Sequence, residues 1–212
     1  PYNDFWFDEG TSVTTDRTSL VIDPSDGRVP EKTPEAVQRQ SALEQARRGV
    51  SNHEPTPGGF VEDLGPGGLQ VRCILGFNSG PPMEPSAYNN NLQLFQTPDT
   101  VVLFAEMNHN ARIVPLNGEA HVEDSVRQWT GDSRGRWDGD TLVVETTNFL
   151  RETNFMQGAT SPHLTLIERF TRVDADTLQY DVTVDDPAVW TRPWTYSVPM
   201  QRNAEPVYEY AC

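Results

Sequence analysis

The sequence predicts a mostly β protein: an antiparallel meander forming a barrel-like or sandwich-like sheet, with one helix near the N-terminus and long Pro/Gly-rich loops. Three observations predict it. Short apolar–polar alternations recur from Tyr88 onward, and Asn117-Gly118, Asp138-Gly139 and Asp174-Ala175-Asp176 stand between them as turn signals. The spacings are too short for crossover helices, so pairing must be mostly antiparallel. The 17 Pro and 15 Gly call for many turns and long surface loops.

Residues 1–87 read as an N-terminal arm, one helix and loops packed on the sheet, and residues 88–212 as the antiparallel β core of the same domain. The opening residues, with Phe5, Trp6 and Phe7, have no clean period and are expected to pack as an extended arm. Residues 18–23 read as a short strand, stopped by Pro24-Ser25-Asp26-Gly27. Thr33 is the expected N-cap of the helix, with Pro34 at its first position and Glu35 at the positive end of its dipole. Ala36, Val37, Ala42, Leu43 and Ala46 give it a weak apolar stripe, which ends at Arg47-Arg48-Gly49. Residues 51–68 and 76–87 are loops. About eight strands follow, expected at 88–97, 100–107, 111–116, 124–130, 141–148, 163–173, 177–185 and 194–200.

Composition excludes several functions. Sixteen basic against 31 acidic residues give a net charge of −15, which repels nucleic acids and anionic membrane surfaces. No apolar stretch approaches the roughly 20 residues of a membrane span. There is no P-loop, dinucleotide fingerprint, C-x-x-C-H haem site or EF-hand series, so no cofactor is expected. Cys73 and Cys212 are the two cysteines, either free thiols or one disulfide. A bridge between them would close a loop of about 140 residues, worth roughly 4–5 kcal/mol. The first residue is Pro1 rather than Met, as export with signal cleavage, or trimming, would leave it.

Alternation selects the candidate site residues. Leu178, Tyr180, Val182 and Val184 share one face and should be core. If the last strand extends back far enough, Arg192 shares a face with Trp190, Trp194 and Tyr196. A guanidinium framed by indoles suits a carboxylate, sugar or aromatic ligand, or closes one end of the barrel as a cation–π stack. Glu168 stands among Leu164, Leu166 and Phe170, where a carboxylate needs a partner. Arg192 is one candidate partner if the two strands lie close, in a structural ion pair or the polar floor of a cavity. Glu106, His109 and Arg112, with Asn91 before them, form the densest polar run. There His109 could be a general base oriented by Glu106, or the run could be a polar turn.

Two motifs give way on inspection. Gly131-Asp132-Ser133-Arg134-Gly135 matches G-x-S-x-G, but no helix follows to lift Ser133, so Ser133 reads as a turn residue. The four histidines are His53, His109, His121 and His163. Glu106 and His109 form E-x-x-H, a spacing that puts ligands on opposite faces of a strand, so no metal site is expected.

The segment Gly131–Phe149 (GDSRGRWDGDTLVVETTNF), together with Arg17–Pro24, Tyr88-Asn89-Asn90-Asn91, Asp185–Trp194 and Tyr208–Cys212, resembles a family of uncharacterised exported bacterial proteins. The resemblance runs from Arg17 to Cys212. It implies export to the periplasm or the extracellular space, favours the disulfide, and implies no reaction. Three functional readings follow. The first is a β-barrel-like protein binding a small aromatic, sugar or carboxylate-bearing molecule. The second is a cofactor-independent lyase, isomerase or hydrolase using His109, with Arg112 or Arg192 holding an anion. The third is a structural subunit of a homo-oligomer or larger assembly.

Overall fold

The computed structural model describes residues 7, 16–52, 54–58, 68–76, 78–151, 153 and 161–210. The protein is mostly β, with its strands in two antiparallel sheets. The larger has six strands: β1 (Val21–Asp23), β5 (Asp132–Asp138), β6 (Thr141–Thr147), β7 (Thr165–Arg172), β8 (Thr177–Asp185) and β9 (Trp194–Gln201). Their spatial order is β1-β9-β8-β7-β6-β5, so β5 to β9 form an unbroken meander and β1 returns to cover the β9 edge. The smaller sheet holds β2 (Leu92–Gln96), β3 (Thr100–Ala105) and β4 (Asn110–Pro115) in sequence order. Among the described residues neither sheet closes on itself, which selects the sandwich-like alternative.

One core joins the sheets. Val101, Leu103 and Val114 of the smaller sheet cluster with Leu142, Val144, Leu166, Phe170, Tyr180, Val182 and Trp194 of the larger. The face expected from alternation in residues 177–185 is the inner one, and Tyr180 and Val182 are fully buried. The smaller sheet packs directly onto Gly135, where a β-carbon would stand 2.6 Å from Leu116 Cδ2 and 2.7 Å from Val114 Cγ1. Only a residue without a side chain fits there.

The expected helix forms as α1 (Pro34–Ala46), and Thr33 Oγ1 accepts from Ala36 N at 3.1 Å. Only Ala36 of α1 is buried, as a weak apolar stripe dictates. A four-residue helix, α2 (Gly68–Val71), precedes Cys73. Of the arm, Phe7 alone is described, its ring 6.4 Å from that of Tyr88. Phe5, Trp6, His53 and Cys212 lie outside the described residues, and with Cys212 the expected Cys73–Cys212 pairing.

Two strand expectations are corrected. Residues 124–130 form no strand: Asn148 Nδ2 takes the Val126 carbonyl, as it takes those of Val122 and Glu123 just before, and Gln128 makes only an isolated bridge to Phe149. The stretch read as a turn around Ser133 is instead β5, paired with β6 from Asp132↔Thr147 to Asp138↔Thr141. Its two glycines serve packing: Gly135 admits the smaller sheet, and Gly131, at φ 69°, would place a β-carbon 2.5 Å from the Thr147 carbonyl oxygen. Ser133 Oγ is buried against Thr146 Oγ1 at 2.9 Å.

Candidate functional site

Strand parity lays a row of inward side chains across the end of the sandwich where β5 turns into β6 and β7 into β8. The ladder sets Trp137 beside Leu142, and Leu142 beside Phe170. Leu178 stands opposite Arg172, and Leu94, Gln96 and Val101 face the row from the smaller sheet. Together they line a groove of about 200 Å³. It opens into a vestibule of about 480 Å³ bounded by Gln96, Trp137, Gly139, Asp140 and Arg172. The floor is apolar and the rim carries an exposed indole, an amide and two opposite charges.

Two features fix the rim. Gly139, at φ 57°, makes the tight β5–β6 turn that brings Trp137 and Asp140 to the edge. Arg172 Nε and Nη2 donate to the Asp174 and Ala175 carbonyls, each at 3.0 Å, so the guanidinium is held by the β7–β8 turn. Trp137 is 46% exposed, whereas Trp190 and Trp194 are buried.

One residue pair deeper, the interior becomes polar. Arg112, on β4, holds Glu168, on β7, through Nη1–Oε2 at 2.5 Å and Nη2–Oε1 at 2.9 Å. Tyr180 donates to Glu168 Oε1 at 2.7 Å and accepts from Met83 N, while Tyr196 donates to the Met83 carbonyl. Burial first, then the Glu168 charge, raises the Tyr180 hydroxyl well above its ordinary pKa of 10.0. Burial, then Glu84, does the same to Tyr196. Burial also pushes the Glu84 carboxyl up to about 7. Glu84 Oε1 and the indole nitrogens of Trp190 and Trp194 have no hydrogen-bond partner among the described residues.

The residues named from sequence divide accordingly. Glu168 has its cation, but from Arg112 rather than Arg192, and the pair is sealed. Arg192 is exposed and pairs with Asp23 at 2.8 Å. The parity argument for Arg192 fails because β9 begins at Trp194, after Pro193. Trp190 and Trp194 stack edge-to-face at 5.8 Å within the core, and the cation over Trp190 is Lys32, 5.7 Å from the ring centre. Neither indole faces solvent for a ligand.

The expected His109–Glu106 couple does not form. Glu106 is buried and accepts from Asn91 Nδ2 at 2.7 Å, and Asn91 Oδ1 in turn accepts from Asn203. His109 is exposed at φ 52° in a 3₁₀ turn (Met107–His109), its ring edge-on to Phe104 at 4.6 Å. The 3₁₀ turn after β3 swings the histidine to the outer face of the smaller sheet, away from the carboxylate. Arg112 is committed to Glu168 and is not positioned to hold a substrate anion.

Sequence reasoning passed over a histidine that does have an oriented carboxylate. His121 Nδ1 meets Asp132 Oδ2 at 2.8 Å, and its Nε2 lies 3.4 Å from Glu145 Oε1. Asp132 also accepts from Val122 N and Arg134 Nη1. Burial alone would raise the Asp132 carboxyl, but the bonds from His121, Val122 and Arg134 outweigh it and hold it below 3.8. The signal lay in the β5–β6 pairing, which could not be seen while Ser133 read as a turn residue and no strand was expected at 132–138. This cluster latches the 116–131 loop to β5 on the outer face, remote from the groove. Among the described residues no three His, Cys, Asp or Glu side chains converge to hold a metal ion.

No family model, curated protein or solved structure matches this chain. Fold and geometry therefore define its class: a two-sheet antiparallel β protein with a groove at the mouth of the sandwich. Among the described residues no helix is long and apolar enough to cross a membrane.

Proposed function

We propose that this protein binds a small molecule with an apolar or aromatic body at the mouth of its sandwich. One observation carries the reading: Trp137 and Arg172 flank a groove floored by Val101, Leu142, Phe170 and Leu178. An exposed indole beside a fixed guanidinium is costly surface for a chain that buries its other described aromatic residues on β6 to β9. It offers ring stacking and charge-assisted hydrogen bonding together. The groove residues are not those the sequence suggested, since Trp190 and Trp194 are buried and Arg192 pairs with Asp23. The test is a ligand-detected fragment screen on wild type and Trp137→Ala. Hits that bind the first and not the second support the reading, and an identical hit list would sink it.

The resemblance of Gly131–Phe149 supports export to the periplasm or extracellular space, where a Cys73–Cys212 disulfide would persist. Thiol titration of the denatured, unreduced protein tests this: no reactive thiol is expected, and two would contradict it.

A second reading, a subunit of an assembly, is favoured by the outer face of the smaller sheet. Phe95, Val102 and Ile113 form one cross-strand row there, with Phe95 49% and Ile113 65% exposed. Contiguous exposed apolar surface marks interaction sites. Light scattering across a wide concentration range separates the readings, since a monomer throughout removes this one.

A further inference from the structure

Resting on the groove reading, we infer that its ligand class is a zwitterion with a hydrophobic side chain, such as a free amino acid of the phenylalanine or leucine type. The argument starts from register. The β6–β7 ladder ends on Thr141 and Thr171, and the next residues outward, Asp140 in the β5–β6 turn and Arg172 at the end of β7, flank the mouth of the groove. Arg172 shares the inward parity of Phe170, and Asp140 and Arg172 both line the groove and its vestibule.

Two opposite charges flanking one mouth would ordinarily close into an ion pair. Here they do not, because the Asp174 and Ala175 carbonyls hold the Arg172 guanidinium toward the β7–β8 turn. Asp140 has no hydrogen-bond or ion-pair partner among the described residues. Arg172 Nη1 likewise has no hydrogen-bond partner among the described residues, although the Asp174 carboxylate is near enough to feel the Arg172 charge. The rim thus presents an exposed cation and an exposed anion that do not pair with each other, over a floor of Val101, Leu142, Phe170 and Leu178.

A ligand bearing one charge would satisfy one of these groups and leave the other beside it, so neither a simple acid nor a simple amine fits well. A carboxylate and an ammonium on one carbon satisfy both: the carboxylate takes Arg172 and the ammonium takes Asp140, with Gln96 as a further partner. Volume sets the remainder. About 200 Å³ beneath the rim admits a single aromatic or branched side chain and excludes the larger bodies held by sites of roughly 300–1,000 Å³.

Calorimetric titration with three probes tests this: L-phenylalanine, 3-phenylpropionate, which lacks the ammonium, and 2-phenylethylamine, which lacks the carboxylate. L-Phenylalanine is expected to bind at least tenfold more tightly than either. Asp140→Asn should abolish its advantage over phenylpropionate, and Arg172→Gln its advantage over phenylethylamine. Equal affinity for all three, lost on Trp137→Ala, would overturn the zwitterion and leave the groove reading standing. Absence of binding by all three overturns the zwitterion as well. In that event the groove reading is decided separately, by whether any fragment hit depends on Trp137.

Discussion

Arg112 reaches across the sandwich to grip the Glu168 carboxylate with both terminal nitrogens, and this pair is the sole bidentate ion pair among the described residues. It joins the two sheets at their centre, where Glu168 is fully buried. Removing one partner leaves a buried charge, so Arg112→Met should cost about 3–5 kcal/mol. Adding Glu168→Leu should recover most of that loss, although the Tyr180 hydroxyl is then left without its acceptor. Denaturant unfolding of both single variants and the double variant checks it. Single costs that simply add would show that the two groups do not act as a pair.

Glu84 gives the protein a pH dependence opposite in sign to that of most carboxylates. Its folded pKa of about 7 lies above the ordinary 4.5, so the folded state binds the proton more tightly than the unfolded chain. The favourable contribution is complete below about 4.5 and is lost as pH rises through about 7. Glu84→Gln should therefore stabilise the protein at pH 8 by about 2–3 kcal/mol, with the gain fading towards pH 4.5. Thermal midpoints of both proteins across that range would show it, and a pH-independent difference would contradict it.

The Asp132 latch should behave in the usual direction. Its folded pKa is held below 3.8, so its contribution is present above the unfolded value and lost as pH falls through the folded one. Asp132→Asn should lower stability by about 1–3 kcal/mol at pH 6, since bonds from His121 and Arg134 to a charged acceptor are weakened. The gap to wild type should narrow below about pH 4. A gap that stays constant into acid would show that the loop does not depend on the carboxylate charge.

Gly135 sets the spacing of the sheets. Gly135→Ala should cost about 1–3 kcal/mol through overpacking against Val114 and Leu116. Because the clash lies partly with Val114 Cγ1 at 2.7 Å, Val114→Ala in the same chain should return part of the loss. Chemical denaturation of the two single variants and the double variant measures the coupling.

The meander from β6 to β9 was legible because its strands carry apolar alternation, with turn signals before β6 and between β7 and β8. Tyr180 and Val182 lie where period-two alternation puts them. Strand β5 was not legible: Gly131, Gly135, Asp132 and Asp138 are turn formers by local preference, and only contact with β6 and Val114 explains them. Glu168 could be recognised as a carboxylate needing a cation, but sequence offers no way to choose between Arg112 and Arg192, since both are distant in the chain and only the packing of the sheets decides which one reaches it. The groove was invisible for the same reason. Its members come from β2, β3, β5, β6, β7 and β8, and Trp137 carries no local sign that it stands at a rim.

The most direct test is an NMR titration of the five tryptophan indole N–H resonances, with Trp137 assigned through Trp137→Phe and the ligand taken from the fragment screen. The Trp137 resonance should shift in a saturable manner while those of Trp190 and Trp194 stay in place. Saturable shifts at Trp190 and Trp194 without one at Trp137 would put the ligand in the interior and contradict the groove.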